Sequence, residues 1–124
     1  MKKTFLTTLF AICAIFAFAN EPYFRETWIS TVSNIDFPRV ADRGNYEAQK
    51  KHLIGMLDQL QAMNINAIVF QVRPTADALY NSKLEPWSHW LTGKQGVAAT
   101  YDPLELVCAE AHKRGIDVHV WINP

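Results

Sequence analysis

Asn64-Ile65-Asn66-Ala67-Ile68-Val69-Phe70-Gln71-Val72-Arg73-Pro74 decides the fold. The stretch opens as the end of a helix and becomes a strand that is apolar along most of its length. It turns polar just before a proline. A strand with apolar side chains on both faces is the mark of a buried parallel sheet, covered by helices on one side and by further core on the other. Side chains alternate along a strand, so Ile68, Phe70 and Val72 share one face, and Ala67, Val69, Gln71 and Arg73 share the opposite face. Gln71 and Arg73 therefore leave the strand on the same side at its C-terminal end. Open α/β sheets and (β/α)₈ barrels both hold their ligands at that end.

Working outward, the residues before the strand form a helix from Tyr46 to Met63. Leu53, Met56, Leu57 and Leu60 recur at helical spacing and make one apolar stripe. Asn45 suits the N-cap, and Asn64 suits a left-handed residue that ends the helix. His52 falls on the solvated or boundary side of this helix, with no ligand partner near it in sequence. Further upstream, Arg25 to Val32 alternates and is rich in β-formers, which predicts a first strand. Ser33 to Pro38 follows as a loop.

Downstream, Thr75 to Thr100 is too long for an ordinary connection and too aromatic for disorder, so it reads as an ordered excursion over the strand ends. Asp102-Pro103-Leu104-Glu105 opens a second helix. Asp102 can cap it, Pro103 fits the first turn, and Glu105 can return a bond as the other half of a capping box. Leu104, Val107, Cys108 and Ala111 form its buried stripe, which makes Cys108 a small core residue rather than a reactive thiol. His112, Lys113 and Arg114 place positive charge at the helix C-terminus, and Gly115 ends it. Ile116 to Asn123 is a third strand, with His119, Trp121 and Asn123 on one face. Strand, helix, strand, helix, strand predicts a parallel sheet with right-handed crossovers.

The chain has 124 residues, with 12 Lys+Arg against 12 Asp+Glu, and this balance offers no electrostatic footprint for nucleic acid. Lys2 and Lys3, the apolar run from Phe5 to Ala19, and Ala17-Phe18-Ala19 read as a secretory signal peptide over residues 1–19. The run is too short and wrongly flanked for a membrane span. On this reading residues 20–124 are exported, to the periplasm or the cell surface, with no stable membrane span after cleavage. Cys13 leaves with the signal and Cys108 remains alone, so no internal disulfide is available.

Polar groups gather at the ends of all three strands: Ser30 and Asn34, then Gln71, Arg73 and Asp77, then Trp121 and Asn123. A barrel builds its site by such convergence. For Arg73 and Asp77 the alternative is a salt bridge to each other that pins the loop. For Gln71 and Asn123 it is strand-to-loop hydrogen bonding, and for Trp87, Trp90 and Trp121 it is core packing. The functional reading is that flat indoles stack on the apolar faces of sugar rings while Gln, Arg, Asp and Asn meet the hydroxyls. No Walker loop, dinucleotide fingerprint, zincin motif or cysteine ligand set is present, so the sequence points to no cofactor and no metal. Asp36, Asp77 and Glu85 are the loop carboxylates available for acid–base work, and no convincing pair stands out among them.

Arg25-Glu26-Thr27-Trp28-Ile29-Ser30-Thr31-Val32, the run from Phe70 to Tyr80, Glu85-Pro86-Trp87-Ser88, Leu91 to Gly96, Tyr101 to Glu105 and Val120 to Pro124 together resemble the start of glycosyl-hydrolase-like family 10. This family was formerly a domain of unknown function and includes the divisome glycosyl hydrolase type. The resemblance implies a TIM-barrel hydrolase acting on O-glycosidic bonds of a bacterial polysaccharide, with peptidoglycan glycan strands the leading candidate. It implies that Gln71, Arg73, Asp77 and Asn123 line the substrate cleft. Glu26 and Phe37 depart from the family, which commonly has a small residue and a Trp at those places. A (β/α)₈ barrel needs about 250 residues, so the chain reads as an incomplete, N-terminal part of one. Its catalytic carboxylates are expected downstream of Pro124, and this part by itself is expected not to cleave a glycan. Two other readings stay open: a non-catalytic glycan-binding module, and a generic parallel α/β domain of flavodoxin-like order. Oligomeric state is not legible.

Overall fold

The computed structural model describes residues 23–124; the signal-peptide reading of residues 1–19 lies outside them. Strand β1 is Glu26–Ile29, helix α1 is Tyr46–Ala62, strand β2 is Ala67–Arg73, the one-turn helix α2 is His89–Thr92, helix α3 is Pro103–Lys113 and strand β3 is Asp117–Ile122. Two short 3₁₀ turns, Val32–Asn34 and Val40–Asp42, lie between β1 and α1.

The three strands form one parallel sheet in the order β1-β2-β3, with Trp28 opposite Val69, and Val69 and Gln71 opposite His119 and Trp121. Ile29, Ile68, Phe70 and Val72 pack on Leu53 and Leu57 of α1 and on Val107 and Ala111 of α3. Both long helices therefore cover the same face of the sheet. Flavodoxin-like order would set β1 between the other two strands and place helices on both faces, so that expectation is overturned. Sequential parallel neighbours with every crossover helix on one side make the N-terminal part of a (β/α)₈ barrel.

The opposite face is the one a barrel turns inward. Strands flanking a common neighbour are about 9–10 Å apart, yet the Trp28 and Trp121 rings meet at 5.2 Å, edge to face. Both indoles must lean across β2, and they roof Val69 and Gln71, which are buried. Trp28 remains 61% exposed, and on the helix side of β3 Val120 and Ile122 are 51% and 54% exposed.

Strand β1 stops at Ile29, short of the expected Val32. The reason is two side chains: the Ser30 N–H donates to Asp36 Oδ2 at 2.8 Å, and those of Thr31 and Val32 donate to Gln71 Oε1 at 2.9 Å each, instead of continuing the ladder. On the other side of β2 the register with β3 shifts between Gln71 and Arg73.

The helix signals hold with one correction. Asn45 accepts from the Ala48 N–H, and Asn64 is left-handed with φ 57°. Asp102 Oδ1 caps α3 through the N–H groups of Leu104 and Glu105, at 2.9 and 3.1 Å. Glu105 is exposed and returns no bond, so the capping box is half built. Asp102 Oδ2 instead takes the N–H of Asn81 in the excursion loop, at 2.8 Å. Asp102→Ala is expected to cost about 1–2 kcal/mol, read as a lower urea midpoint, with Asp102→Asn retaining most of it. At the far end, Arg114 joins α3 to α1 by bonding Asp58 and Glu110.

The polar side chain of Gln49 extends the buried stripe of α1. Its Nε2 donates to the carbonyls of Asp42 and Leu91, and its Oε1 accepts from the Tyr101 hydroxyl. Burial of Tyr101, reinforced by Tyr46 and Asp102, pushes its phenol far above the usual range, so it serves as a fixed donor. Cys108 is half-buried against the core, and desolvation, with a smaller contribution from Asp102, raises its thiol pKa, as expected of an inert packing residue.

His52 rests against Phe37, with ring centroids 6.1 Å apart, and its Nδ1 is buried without a partner among the described residues. Desolvation, then the Arg39 charge, hold its pKa below 6.5, with Asp42 opposing. The folded state thus binds this proton less readily than the unfolded chain. Stability contributed by neutral His52 is complete above about pH 6.5 and is lost as pH falls towards the lower folded value. The urea midpoint of the wild type is expected to fall more steeply from pH 7.5 to 5.5, roughly one unit either side of that value, than that of His52→Gln.

Candidate functional site at the strand ends

The C-terminal ends of β1, β2 and β3 converge on one rim, and Gln71, Arg73 and Asn123 all sit there. Gln71 is fully buried. Its Oε1 accepts from the Thr31 and Val32 N–H groups and from the Ser30 hydroxyl. Two backbone donors require an oxygen at that position, which fixes the orientation of the amide. Nε2 must then point away from β1, and it has no partner among the described residues.

Arg73 turns the other way. Its Nε donates to Glu85 Oε1 at 2.6 Å, and its Nη1 donates to the carbonyl of Asn123 just past β3. Asn123 Nδ2 donates to the carbonyl of Pro74 at 2.7 Å, and its Oδ1 accepts the indole N–H of Trp121 at 2.8 Å. Arg73, Asn123 and Trp121 are thus one network that locks the end of β2 to the end of β3 and fixes the Trp121 ring.

A mutual salt bridge of Arg73 and Asp77 is not formed. Asp77 is captured locally: Oδ1 accepts from the N–H and the hydroxyl of Thr75, at 3.2 and 3.1 Å. Its Oδ2 is buried and accepts no hydrogen bond among the described residues, with His89 Nδ1 3.7 Å away. Glu85, carried back by the excursion loop, takes Arg73 in its place. Asp36 Oδ2 accepts the Ser30 N–H at 2.8 Å, so it closes the end of β1.

The excursion is ordered, as its aromatic content implied. Ala78 and Trp87 form an isolated parallel bridge, and the Leu79 N–H returns to the carbonyl of Val72. Asn34 Nδ2 donates to the carbonyls of Pro38 and Trp90, and its Oδ1 accepts from Arg43, whose guanidinium lies over the Trp90 ring. The segment from Ser88 to Leu91 is thereby tied across the loop that follows β1. Trp87 stands apart from the other named residues and lines an open pocket of about 330 Å³ with Asn81, Thr100, Tyr101 and Asp102.

Backbone strain gathers in the same loops. Ser33, Asn34 and Ala76 have φ of 56°, 54° and 53°, a region that costs a non-glycine residue about 1–2 kcal/mol. Strain of this kind concentrates at functional sites, where the surroundings over-determine it. Among the described residues no three His, Cys, Asp or Glu side chains group so as to hold a metal, and no helix is long and apolar enough to cross a membrane.

Residues 23–123 match the family model described as Glycosyl hydrolase-like 10. The chain belongs to this family. It is 46% identical over 101 residues to a protein of Bacillus subtilis (strain 168) named Glycosyl hydrolase YngK, a match covering 81% of this chain and 19% of the relative. It is 43% identical over 106 residues to Glycosyl hydrolase DigH of Escherichia coli (strain K12), covering 81% of this chain and 24% of the relative. The chain thus spans about a fifth to a quarter of the length of the curated relatives it matches.

Sequence patterns did not mark Glu85 as the partner of Arg73, nor His89 as the neighbour of Asp77, because both depend on how the excursion folds back. Thr31 and Ser30 as ligands of Gln71 carried a faint signal: a glutamine inside an otherwise apolar strand needs partners, and hydroxyl residues end the neighbouring strand.

Proposed function

We propose that the chain is the N-terminal part of an exported TIM-barrel glycoside hydrolase. It would act on O-glycosidic bonds of a bacterial polysaccharide, with peptidoglycan glycan strands the first candidate. One observation carries this reading. At the rim, the fully buried side chains of Gln71 and Asp77 each keep one polar atom unspent, a donor on Nε2 and an acceptor on Oδ2. Buried polar groups left unpaired are costly, and a sugar, whose hydroxyls both donate and accept, suits a rim with unspent donor and acceptor capacity. The Trp121 ring, held by Asn123, adds an apolar surface on which a sugar can stack.

In this reading the segment binds and orients substrate. Acid–base work falls to carboxylates on later strands, since Asp36 and Glu85 are committed to Ser30 and Arg73 and glycoside hydrolysis normally uses two carboxylates flanking the bond. Export rests on Lys2, Lys3 and the Ala17-Phe18-Ala19 end of the leader.

The test is release of soluble fragments from purified peptidoglycan glycan strands by the full-length chain, followed by chromatography. Cleavage by the full-length chain and none by residues 20–124 is expected. Retention of glycan by the full-length chain with no new reducing ends would instead favour a non-catalytic binding module. Absence of both binding and cleavage across bacterial polysaccharides would sink the proposal.

A further inference from the structure

His89 lies outside every role assigned so far. It follows Ser88, whose hydroxyl caps the short helix α2, and its ring lies 3.7 Å from that of Trp90. Trp90 is bound through its carbonyl to Asn34, so the imidazole is carried on a segment pinned across the ends of β1 and β2. Its side chain is 36% exposed, while that of Asp77 is fully buried. The side of the ring carrying Nδ1 faces the unpartnered Asp77 Oδ2 at 3.7 Å. That leaves Nε2 as the nitrogen turned away from the carboxylate.

The geometry points to His89 as a substrate-contacting residue: Asp77 holds its proton on Nδ1, so that Nε2 accepts a hydrogen bond from a sugar hydroxyl at the rim. The chemistry follows from the two partners. An ionised carboxylate can only accept, so a neutral imidazole beside it is favoured with the proton on Nδ1, and the other nitrogen then carries the free lone pair. Thr75 anchors Oδ1 by two bonds, and the left-handed Ala76 between them turns the carboxylate so that Oδ2 remains free. At 3.7 Å the pair is longer than a formed hydrogen bond by about 0.5–1 Å. Polar contacts at such sites are often long without substrate and tighten when it binds. Asp77 is accordingly a positioning residue, and its effect on the sugar passes through His89.

This inference rests on the proposed glycan-binding function, and the test separates the two. The full-length chain is titrated with N-acetylglucosamine oligomers by calorimetry, and the tautomer of His89 is read by NMR of isotope-labelled histidine. The wild type is expected to show the Nδ1–H tautomer, with the Nε2 resonance shifting on addition of the oligomer. His89→Ala is expected to weaken binding about tenfold, the value of one hydrogen bond, and His89→Gln, which keeps an acceptor, to recover part of the loss. Asp77→Asn offers Nδ1 a donor, moves the proton to Nε2 and should weaken binding to a similar degree. It is nearly isosteric, so it serves even if His89→Ala fails to fold. If the wild type binds oligomer while His89→Ala and Asp77→Asn bind equally well, or if the wild type is found as the Nε2–H tautomer, the inference is wrong and the glycan reading survives. If the wild type binds no oligomer at all, the inference falls, and the glycan reading is then decided by the polysaccharide assay.

Discussion

Gln71→Leu is expected to lower the stability of the fold by about 2–5 kcal/mol. Leucine matches the volume and keeps the strand apolar, so hydrophobic burial alone would forecast a neutral change. The loss comes from the neighbouring strand. The Thr31 and Val32 N–H groups and the Ser30 hydroxyl all terminate on Gln71 Oε1, and Thr31 is itself fully buried. Removing the acceptor leaves the buried Thr31 N–H and the part-buried Val32 N–H unsatisfied, each worth about 1–3 kcal/mol. Gln71→Glu separates this structural work from the proposed function. A carboxylate accepts the same N–H groups, and that bonding favours its charged form, so the turn after β1 is retained. The Nε2 donor disappears, however, so glycan affinity should drop while the urea midpoint stays near that of the wild type. Equal midpoints for Gln71→Leu and wild type would show that the clamp is dispensable.

Phe70→Ala is the second large effect, expected at about 3–5 kcal/mol. Phe70 and Phe37 are both fully buried with ring centroids 5.9 Å apart. They sit where β2 meets the helix layer, among Leu53, Leu57 and Val107. Truncation opens a cavity that α1 and α3 cannot close without moving relative to each other, and the Arg114 bonds to Asp58 and Glu110 resist that movement. Domains of this size are stable by only about 5–15 kcal/mol, so the variant should show a much lower urea midpoint with an unchanged slope. Leu84→Ala is the control: this leucine is 94% exposed, and the change should fall within about 0.5 kcal/mol.

These two residues are adjacent in sequence and face opposite sides of one strand, which is why their variants test different things. Phe70 reports the layer between sheet and helices. Gln71 reports the inward face and the rim, where two indoles and a turned-back loop do the covering. On the proposed reading, the same division separates the stable frame of this glycosyl hydrolase-like 10 segment from the groups offered to a ligand. The frame is the apolar layer between sheet and helices. Those groups are Gln71 Nε2 and the outer nitrogen of His89, which Asp77 Oδ2 positions.

The sequence by itself determined the elements and their order, because each is specified by neighbours a few residues away. Helical spacing places Leu53 and Leu57 on one side, Asp102 can reach only the N–H groups just after it, and Asn64 and Gly115 permit the left-handed turns that end the helices. Strand β2 and the emergence of Gln71 and Arg73 at one end follow from alternation in the same way. Only the tertiary structure decided who pairs with whom. Arg73 had Asp77 four residues away and Glu85 twelve away, and it took the distant one because Thr75 had already captured the nearer carboxylate and the Ala78–Trp87 bridge returns Glu85 to the strand end. Likewise β1 ended early because Asp36 in the following loop and Gln71 on the neighbouring strand accepted the N–H groups beyond it. Local pattern fixes what a residue can donate or accept, whereas the path of the chain in space fixes which partner arrives.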